Sequence, residues 1–406
     1  MQAQTSYDIQ LKIKDIDFTS DLISVRVVSS LVTAYQIVTI SIFYKTSSAI
    51  LDDVLGKYPL KLTIKLRGNQ ESDPIYESID MELQYVESDL VIHQGKPQLD
   101  KNSIPDRTVV NITTIGRKAF TTMSQIVNDV YVGKTAKEII KDLASKTKAK
   151  VVYDNDDENT EVIEQVVIPP TTFYNTIRYL DDNFGLFKGV SNLGFCQYDN
   201  KLYIQNLTSR MKKNQTFTIF KLALDDPKTA EYVSENNTEK SFLVSGNLNS
   251  KYSGSSQFTA SGKNINYIVH PFDKLYSIIP QKLDELCTKY GANTKPPEIS
   301  LDPNLNEREV YIIGHSGDND SDVFANVRSS RQIIGLATIE CGVAKSMYLL
   351  NLVKIGEPVK LKCSTEAEVN LSGKYILKSS DIQFSRQTQN WEIQCRIVLM
   401  RTNKYE

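Results

Sequence analysis

Histidine is scarce in this chain of 406 residues. There are three, His93, His270 and His315, and no two stand at the spacing of a helical ligand pair. A catalytic zinc site built on histidine is therefore not expected. Cysteine is equally uninformative as a framework: Cys196, Cys287, Cys341, Cys363 and Cys395 are odd in number, scattered, and form no Cys-x-x-Cys pair. Buried free thiols made in a reducing cytoplasm fit this pattern better than a disulfide scaffold or a zinc ribbon. No apolar run approaches the roughly 18–20 residues that span a bilayer. The opening segment MQAQTSYDIQ lacks the charged-then-apolar layout of a secretory leader, so none is expected. Charge of one sign is missing too. Lysine and arginine number 47 against 49 acidic residues, with a net charge of -2. A protein that holds nucleic acid through its overall field would be basic, although local patches are not reported by the net value.

What is present is ordinary globular material. Hydrophobic residues make up 40% and charged residues 24% of the chain. That is enough for real cores, and the length predicts two to four domains.

The chemical motifs fail on inspection. Val310-Tyr-Ile-Ile-Gly-His-Ser-Gly317 resembles a nucleophile elbow, but Asp318 stands where the second glycine belongs and no histidine follows His315 to act as base. Asp318, Asp320 and Asp322 copy the start of a calcium loop, yet Val323 and Ser329 replace its glycine and its bidentate glutamate. Gly189 to Gly194 has phosphate-loop spacing but continues Phe195-Cys196 instead of Lys-Ser/Thr. Asp181 and Asp182 are adjacent on a helix and point apart, so they make no glycosidase pair. Arg210, Lys212 and Lys213 read as a solvated linker face, with a channel or partner surface as the alternative. Phe173, Tyr174, Tyr179 and Phe184 read as core. Catalytic, cofactor-binding and metal residues are accordingly expected to be none.

The periodicity carries more. Ile9, Leu11, Ile13; Ile23, Val25, Val27; Val38, Ile40, Ile42, Tyr44; and Leu60 to Leu66 alternate as half-buried strands do. Met81 to Tyr85 and Val109 to Ile115 continue the pattern, with loops over Gly68–Pro74 and Gly95–Asp106. From about residue 119 the period changes. Thr135-Ala-Lys-Glu138 is a capping-box signature leading a helix through Leu143. Val151–Tyr153 is a strand, Asp154–Glu158 a loop, and Glu161–Ile168 a strand stopped by Pro169 and Pro170. Phe173, Ile177, Leu180 and Phe184 mark one face of a second helix closed by Gly185, and a hairpin turns at Asp199-Asn200. Strand character returns over 215–224, 241–252 and from 336 to the end. A flexible loop over 253–264, a third helix through Leu283, Leu286 and Tyr290, and a strand Val310–Ile313 lie between.

One unit occurs twice. Gly56-Lys-Tyr-Pro59 precedes the strand Leu60–Leu66, and Gly356-Glu-Pro358 precedes Val359–Cys363. Each is followed by a strand (Tyr76–Tyr85; Tyr375–Phe384) and a final strand (Thr108–Arg117; Trp391–Arg401). Glycine plus proline fixes the turn and the entry of the strand. Common antiparallel grammar is the alternative; the matched order of three strands favours duplication.

In these segments the chain resembles the central baseplate hub of contractile-tailed bacteriophages, a family related to the N-terminal part of the secretion spike protein VgrG. The resemblance rests on Gly133–Leu143, on Thr171–Leu186, on the hairpin ending Asp199–Gln205, and on the pattern of Gly356–Arg401. It implies an α+β, β-rich fold with two tube-like antiparallel β-barrel or sandwich domains and α/β insertion modules. The expected division is 1–118 for the first tube-like domain, 119–210 for an α/β module, 211–252 with 336–406 for the second tube-like domain, and 253–335 for a further insertion. It also implies a non-enzymatic homotrimer, pseudo-sixfold, adapting a sixfold tail tube to a threefold central spike around a channel. The implied partners are the tube, spike and baseplate wedge proteins, with the tape measure protein and transiting DNA in the channel. The implied location is the virion tail baseplate, after assembly in the host cytoplasm. A secretion-system or contractile-injection adaptor and a cell-wall hydrolase are the competing readings.

Overall fold

The computed structural model describes residues 5–44, 49–68, 75–93, 107–156, 158–187, 191–196, 199–221, 241–252, 264–269, 277–282, 310–314, 337–344, 353–364, 371–387 and 390–401. The loops expected over 69–74 and 95–106, the 253–263 loop, the 283–290 helix and the acidic loop after Gly314 lie outside them.

Alternating apolar residues build the first part. In order come β1 (Thr5–Ile13), β2 (Ile16–Asp17), β3 (Leu22–Ser30), β4 (Ile37–Tyr44), α1 (Ala49–Val54), β5 (Leu60–Gly68), β6 (Ile75–His93) and β7 (Arg107–Gly116). Ile9, Leu11 and Ile13 in β1, Val38, Ile40 and Ile42 in β4, and Leu60, Leu62, Ile64 and Leu66 in β5 all point into one core. The phase expected from Ile23 is corrected in β3. A bulge between Leu22 and Ser24 inserts one residue, so Leu22 is buried and Ile23 only half-buried.

A second core belongs to α2 (Arg117–Met123), β8 (Ile126–Thr135), α3 (Ala136–Thr147), β9 (Val151–Tyr153), β10 (Val162–Thr172), α4 (Phe173–Phe184), β11 (Ser191–Cys196) and β12 (Leu202–Asn206), with α5 (Leu207–Lys212) following β12. The capping box is formed: Thr135 accepts from the Glu138 N–H, and the Glu138 carboxylate accepts from the Thr135 N–H at 2.9 Å. The helix ends at Lys148 in the left-handed region. Ile139, Ile140 and Leu143 pack on Phe173, Ile177 and Leu180 of α4. Pro169 and Pro170 do not stop the strand. β10 runs on to Thr172 with a register shift between Ile168 and Thr171, and β10 and β8 form a two-stranded sheet. An irregular step is where a strand tolerates residues that lack an N–H.

The rest is β13 (Phe217–Lys221), β14 (Ser241–Tyr252), β15 (Asn264–Val269), β16 (Ser277–Lys282), β17 (Val310–Gly314), β18 (Ala337–Ala344), β19 (Pro358–Cys363), β20 (Gly373–Gln387) and β21 (Asn390–Arg401). β15, β16 and β17 form their own three-stranded sheet. The others join the first part in a 13-stranded sheet of order β19-β13-β14-β18-β21-β20-β3-β4-β7-β6-β5-β1-β2, with β19 also paired to β20. That extra pairing closes β19, β13, β14, β18, β21 and β20 into a barrel.

The duplication is visible residue by residue. β5-β6-β7 and β19-β20-β21 are both antiparallel meanders. Leu60 faces Leu83, and Val359 faces Tyr375. Three residues beyond each facing residue the middle strand bulges, at Val86 between Tyr85 and Glu87 and at Lys378 between Leu377 and Ser379. Ile112 and Ile397 then occupy matching buried positions, as do Thr114 and Leu399. β4 and β18 flank the third strands in the same antiparallel sense, and β3 and β14 follow them. The copies differ in their first strand: β1 is antiparallel to β5, whereas β13 is parallel to β19 and to β14.

The copies meet where β20 pairs with β3, from Ser379 opposite Ser30 to Ser385 opposite Ser24. Arg26 reaches across this seam with two hydrogen bonds to Asp381, at 2.8 and 2.6 Å. The Tyr7 and Phe384 rings meet edge-on at 5.4 Å. Buried residues of both copies form one continuous cluster.

Gly56 and Gly356 share φ +81, which favours glycine at both turns. A Cβ on Gly356 would also lie 1.7 Å from Gln205 Oε1, a buried side chain, whereas on Gly56 it would meet Tyr85 at an ordinary 3.5 Å. Gly56→Ala should therefore cost about 1–2 kcal/mol for the left-handed backbone. Gly356→Ala should cost about 2–4 kcal/mol, the excess being overpacking. Gln205→Ala should relieve the excess, read from urea unfolding midpoints in a double-mutant cycle.

Candidate functional site

The residues that could carry chemistry either lie outside the described residues or are committed elsewhere. His270, His315, Ser316, Asp318, Asp320, Asp322 and Cys287 lie outside the described residues. His93 ends β6, and Cys341 sits in β18. Cys196 and Cys395 are buried. Burial, with a smaller contribution from Asp199, pushes the Cys196 thiol up to about 12, so it is a poor nucleophile at neutral pH. Asp181 is buried and accepts the Leu186 N–H at 3.2 Å, holding the end of α4. Residues 191–196, part of the phosphate-loop decoy, are strand β11. Among the described residues no group of three His, Cys, Asp or Glu side chains could hold a metal ion, and no helix is long and apolar enough to cross a membrane.

Arg210 is a correction. Expected on a solvated face, it is 12% exposed and holds Asp154 through two hydrogen bonds of 2.8 and 2.9 Å, and Glu357 through one of 2.7 Å. Burial pulls its pKa down, but the Asp154 hydrogen bonds and the Glu357 charge outweigh this and hold it raised. Thr216 donates to the same Glu357 at 3.1 Å. Asp154 directly follows β9 of the α/β module, Arg210 is on α5, and Glu357 follows Gly356 at the turn. The ion pairs thus tie the module to the second copy of the strand unit at its entry turn. Lys213, by contrast, pairs with Asp156 at 2.6 Å on the surface.

A smaller cluster fixes β8 against α3. Tyr131 donates to Asp142 at 2.7 Å, and Lys146 pairs with Asp142 at 2.9 Å and with Asp129. The Lys146 ammonium first, and the Tyr131 hydroxyl second, hold the Asp142 carboxyl below its usual range. On the opposite face of the same sheet, Ile126, Val130, Val132 and Val167 are each more than half exposed. Val130 and Val167 are cross-strand partners there. Such an apolar patch on an antiparallel sheet faces solvent in a single chain and is the kind of surface that meets other molecules.

The duplicated strand unit with an α/β module between its copies has counterparts in fold among known proteins. Residues 96–247 match the family model described as Bacteriophage PBS1 gene 109 protein. No curated protein sequence matches the chain. The tail protein from Neisseria meningitidis MC58 superposes with a TM-score of 0.57 at 12% identity, over 98% of this chain and 97% of that one. The 43 kDa tail protein of prophage MuSo2 from Shewanella oneidensis does so at 0.56 and 12%, over 99% and 100%. A chain of the lidded Francisella PdpA-VgrG complex reaches 0.50 at 9%, over 98% of this chain and 53% of that one. The chain is similar in fold to these phage tail proteins, and its β-rich architecture is theirs.

Two outcomes follow from these contacts. Arg210→Ala leaves Asp154 and Glu357 without their shared cation and should cost about 3 kcal/mol, read by chemical denaturation. Asp142 has a depressed folded pKa, so its contribution is whole above the ordinary value of 3.8 and is lost as pH falls through the folded value. Asp142→Asn should therefore flatten the fall of thermal midpoint with acid below about pH 4 while lowering the midpoint at neutral pH.

Proposed function

We propose that this chain is a structural hub of a phage tail baseplate. Three copies assemble head to tail into a ring, and the two strand units of each chain give six similar units around a channel. One face of such a ring matches a sixfold tail tube and the other a threefold spike, so the chain adapts one symmetry to the other. The observation that carries this reading is the duplication, with its matched bulges and buried positions. The whole-length likeness in fold to two phage tail proteins supports it. In this proposal residues 1–118 and 211–252 with 336–406 are the tube-like domains. The modules 119–210 and 253–335 are the outer decoration that meets wedge proteins. The role is mechanical and not catalytic, in the virion tail. Contact with the tape measure protein and with passing DNA belongs to the channel.

An adaptor of a type VI secretion or other contractile injection system is the second reading, favoured by the likeness to the Francisella complex. The chemistry of the chain is the same in both.

The test is mass in solution, alone and with a candidate spike protein. The chain is 45.9 kDa, and light scattering should give three times that value. A strict monomer in both conditions overturns the ring.

A further inference from the structure

Each copy of the strand unit has a long middle strand that leaves its first outer partner near its bulge. In the second copy the change is complete within the chain. β20 pairs with β19 before Lys378 and with β3 after it, and the Lys378 carbonyl accepts the Leu31 N–H at 2.9 Å. In the first copy β6 pairs with β5 as far as Leu83, and beyond Val86 its outer edge has no strand partner among the described residues.

The pairings give the equivalence of the two strands. Val86 matches Lys378, so Ser88-Asp89-Leu90 matches Ser380-Asp381-Ile382, and serine and aspartate recur at the same places. Beside β3, Ser380 and Ile382 are 3% and 2% exposed. Leu90 is 56% exposed, and Ser88 and Asp89 are exposed as well. The same residues are covered in one copy and bare in the other.

The strand that pairs with this stretch in the second copy is β3, and the counterpart of β3 is β14. Thr114 matches Leu399, so their partners Val38 and Ile339 match, and Val25 then matches Leu248. From Leu248 to Tyr252, β14 pairs with β18 on one side and with no strand on the other among the described residues. It cannot reach β6 of its own chain, because the β20–β3 seam lies between them in the sheet.

We propose that β6 from Ser88 to Ile92 pairs antiparallel with β14, Leu248 to Tyr252, of a second copy of this chain. The ladder repeats the β20–β3 seam between subunits and sets Leu90 opposite Ser250 and Asp89 opposite Lys251, acid facing base. It removes two edges that would otherwise invite uncontrolled pairing. The contact is heterologous, so copies added by the same rotation close into a ring of three when that rotation is a third of a turn. This rests on the ring reading above and adds which strands meet and in what register.

Cysteines at the facing positions test it. Mild oxidation of full-length L90C/S250C should produce species of two and three chain masses on a non-reducing gel. L90C/K251C, one residue out of register and so on opposite faces, should yield them about tenfold less. Leu90→Lys changes a side chain already exposed in the single chain. It should keep the circular dichroism melt and weaken self-association at least about tenfold, since it buries an unpaired charge in the contact. A trimer by mass in which L90C/S250C cross-links no more than its single-cysteine controls, or in which L90K assembles as well as the parent, overturns this pairing and leaves the ring. A monomer in every condition overturns both.

Discussion

One extra residue in β20 decides how the halves of this molecule are joined. Before the bulge at Lys378 the strand lies beside β19 and closes a six-stranded barrel; after it the same strand lies beside β3. A bulge bends and twists a strand without breaking its ladder on the other side, where β21 stays paired throughout. The seam that results is held by backbone hydrogen bonds, by the Arg26–Asp381 pair and by the Tyr7–Phe384 contact. Two sheets thereby share a continuous core and need no linker between them.

The α/β module hangs on this frame by a different kind of contact. Its own core is separate, and it is fastened by Arg210 between Asp154 and Glu357 and by the Cys196 N–H donating to the Ala34 carbonyl at 2.8 Å. Ion pairs of this geometry fix orientation as much as they stabilise, because a buried guanidinium accepts few alternative placements. The module is placed at the entry turn of the second strand unit, where Gly356 approaches Gln205. For a protein proposed to act by holding others in register, that stiffness is the relevant property.

Much of the candidate site was illegible in the sequence because its parts are chemically bland. A free sheet edge is a row of backbone groups, and no side-chain motif announces it. The strand Tyr76–Tyr85 was set against Tyr375–Phe384 by where each begins, which hides the recurrence of Ser-Asp at Ser88-Asp89 and Ser380-Asp381. Only the bulges show the true alignment. Arg210 followed by Lys212 and Lys213 looks like a solvated basic face, yet the partners that bury Arg210 come from 56 and 147 residues away. Neither distance leaves a local trace.

The sequence by itself determined most strands of the repeated unit, the two principal helices and the fact of a repeat, but not β8, β15 or β16. Alternation, capping residues and the Gly-Pro turns act over a few residues and are written in those residues: Thr135 with Glu138, Leu60 with Leu62 and Ile64. Tertiary structure alone decided the phase of β3, the passage of β10 through Pro169 and Pro170, the reversed direction of β13, and the partner exchange of β20. Each depends on which strand happens to lie alongside. A backbone group satisfies its hydrogen bond with any neighbour at the right distance, so the choice is made by packing across the whole sheet and not by the segment that makes it.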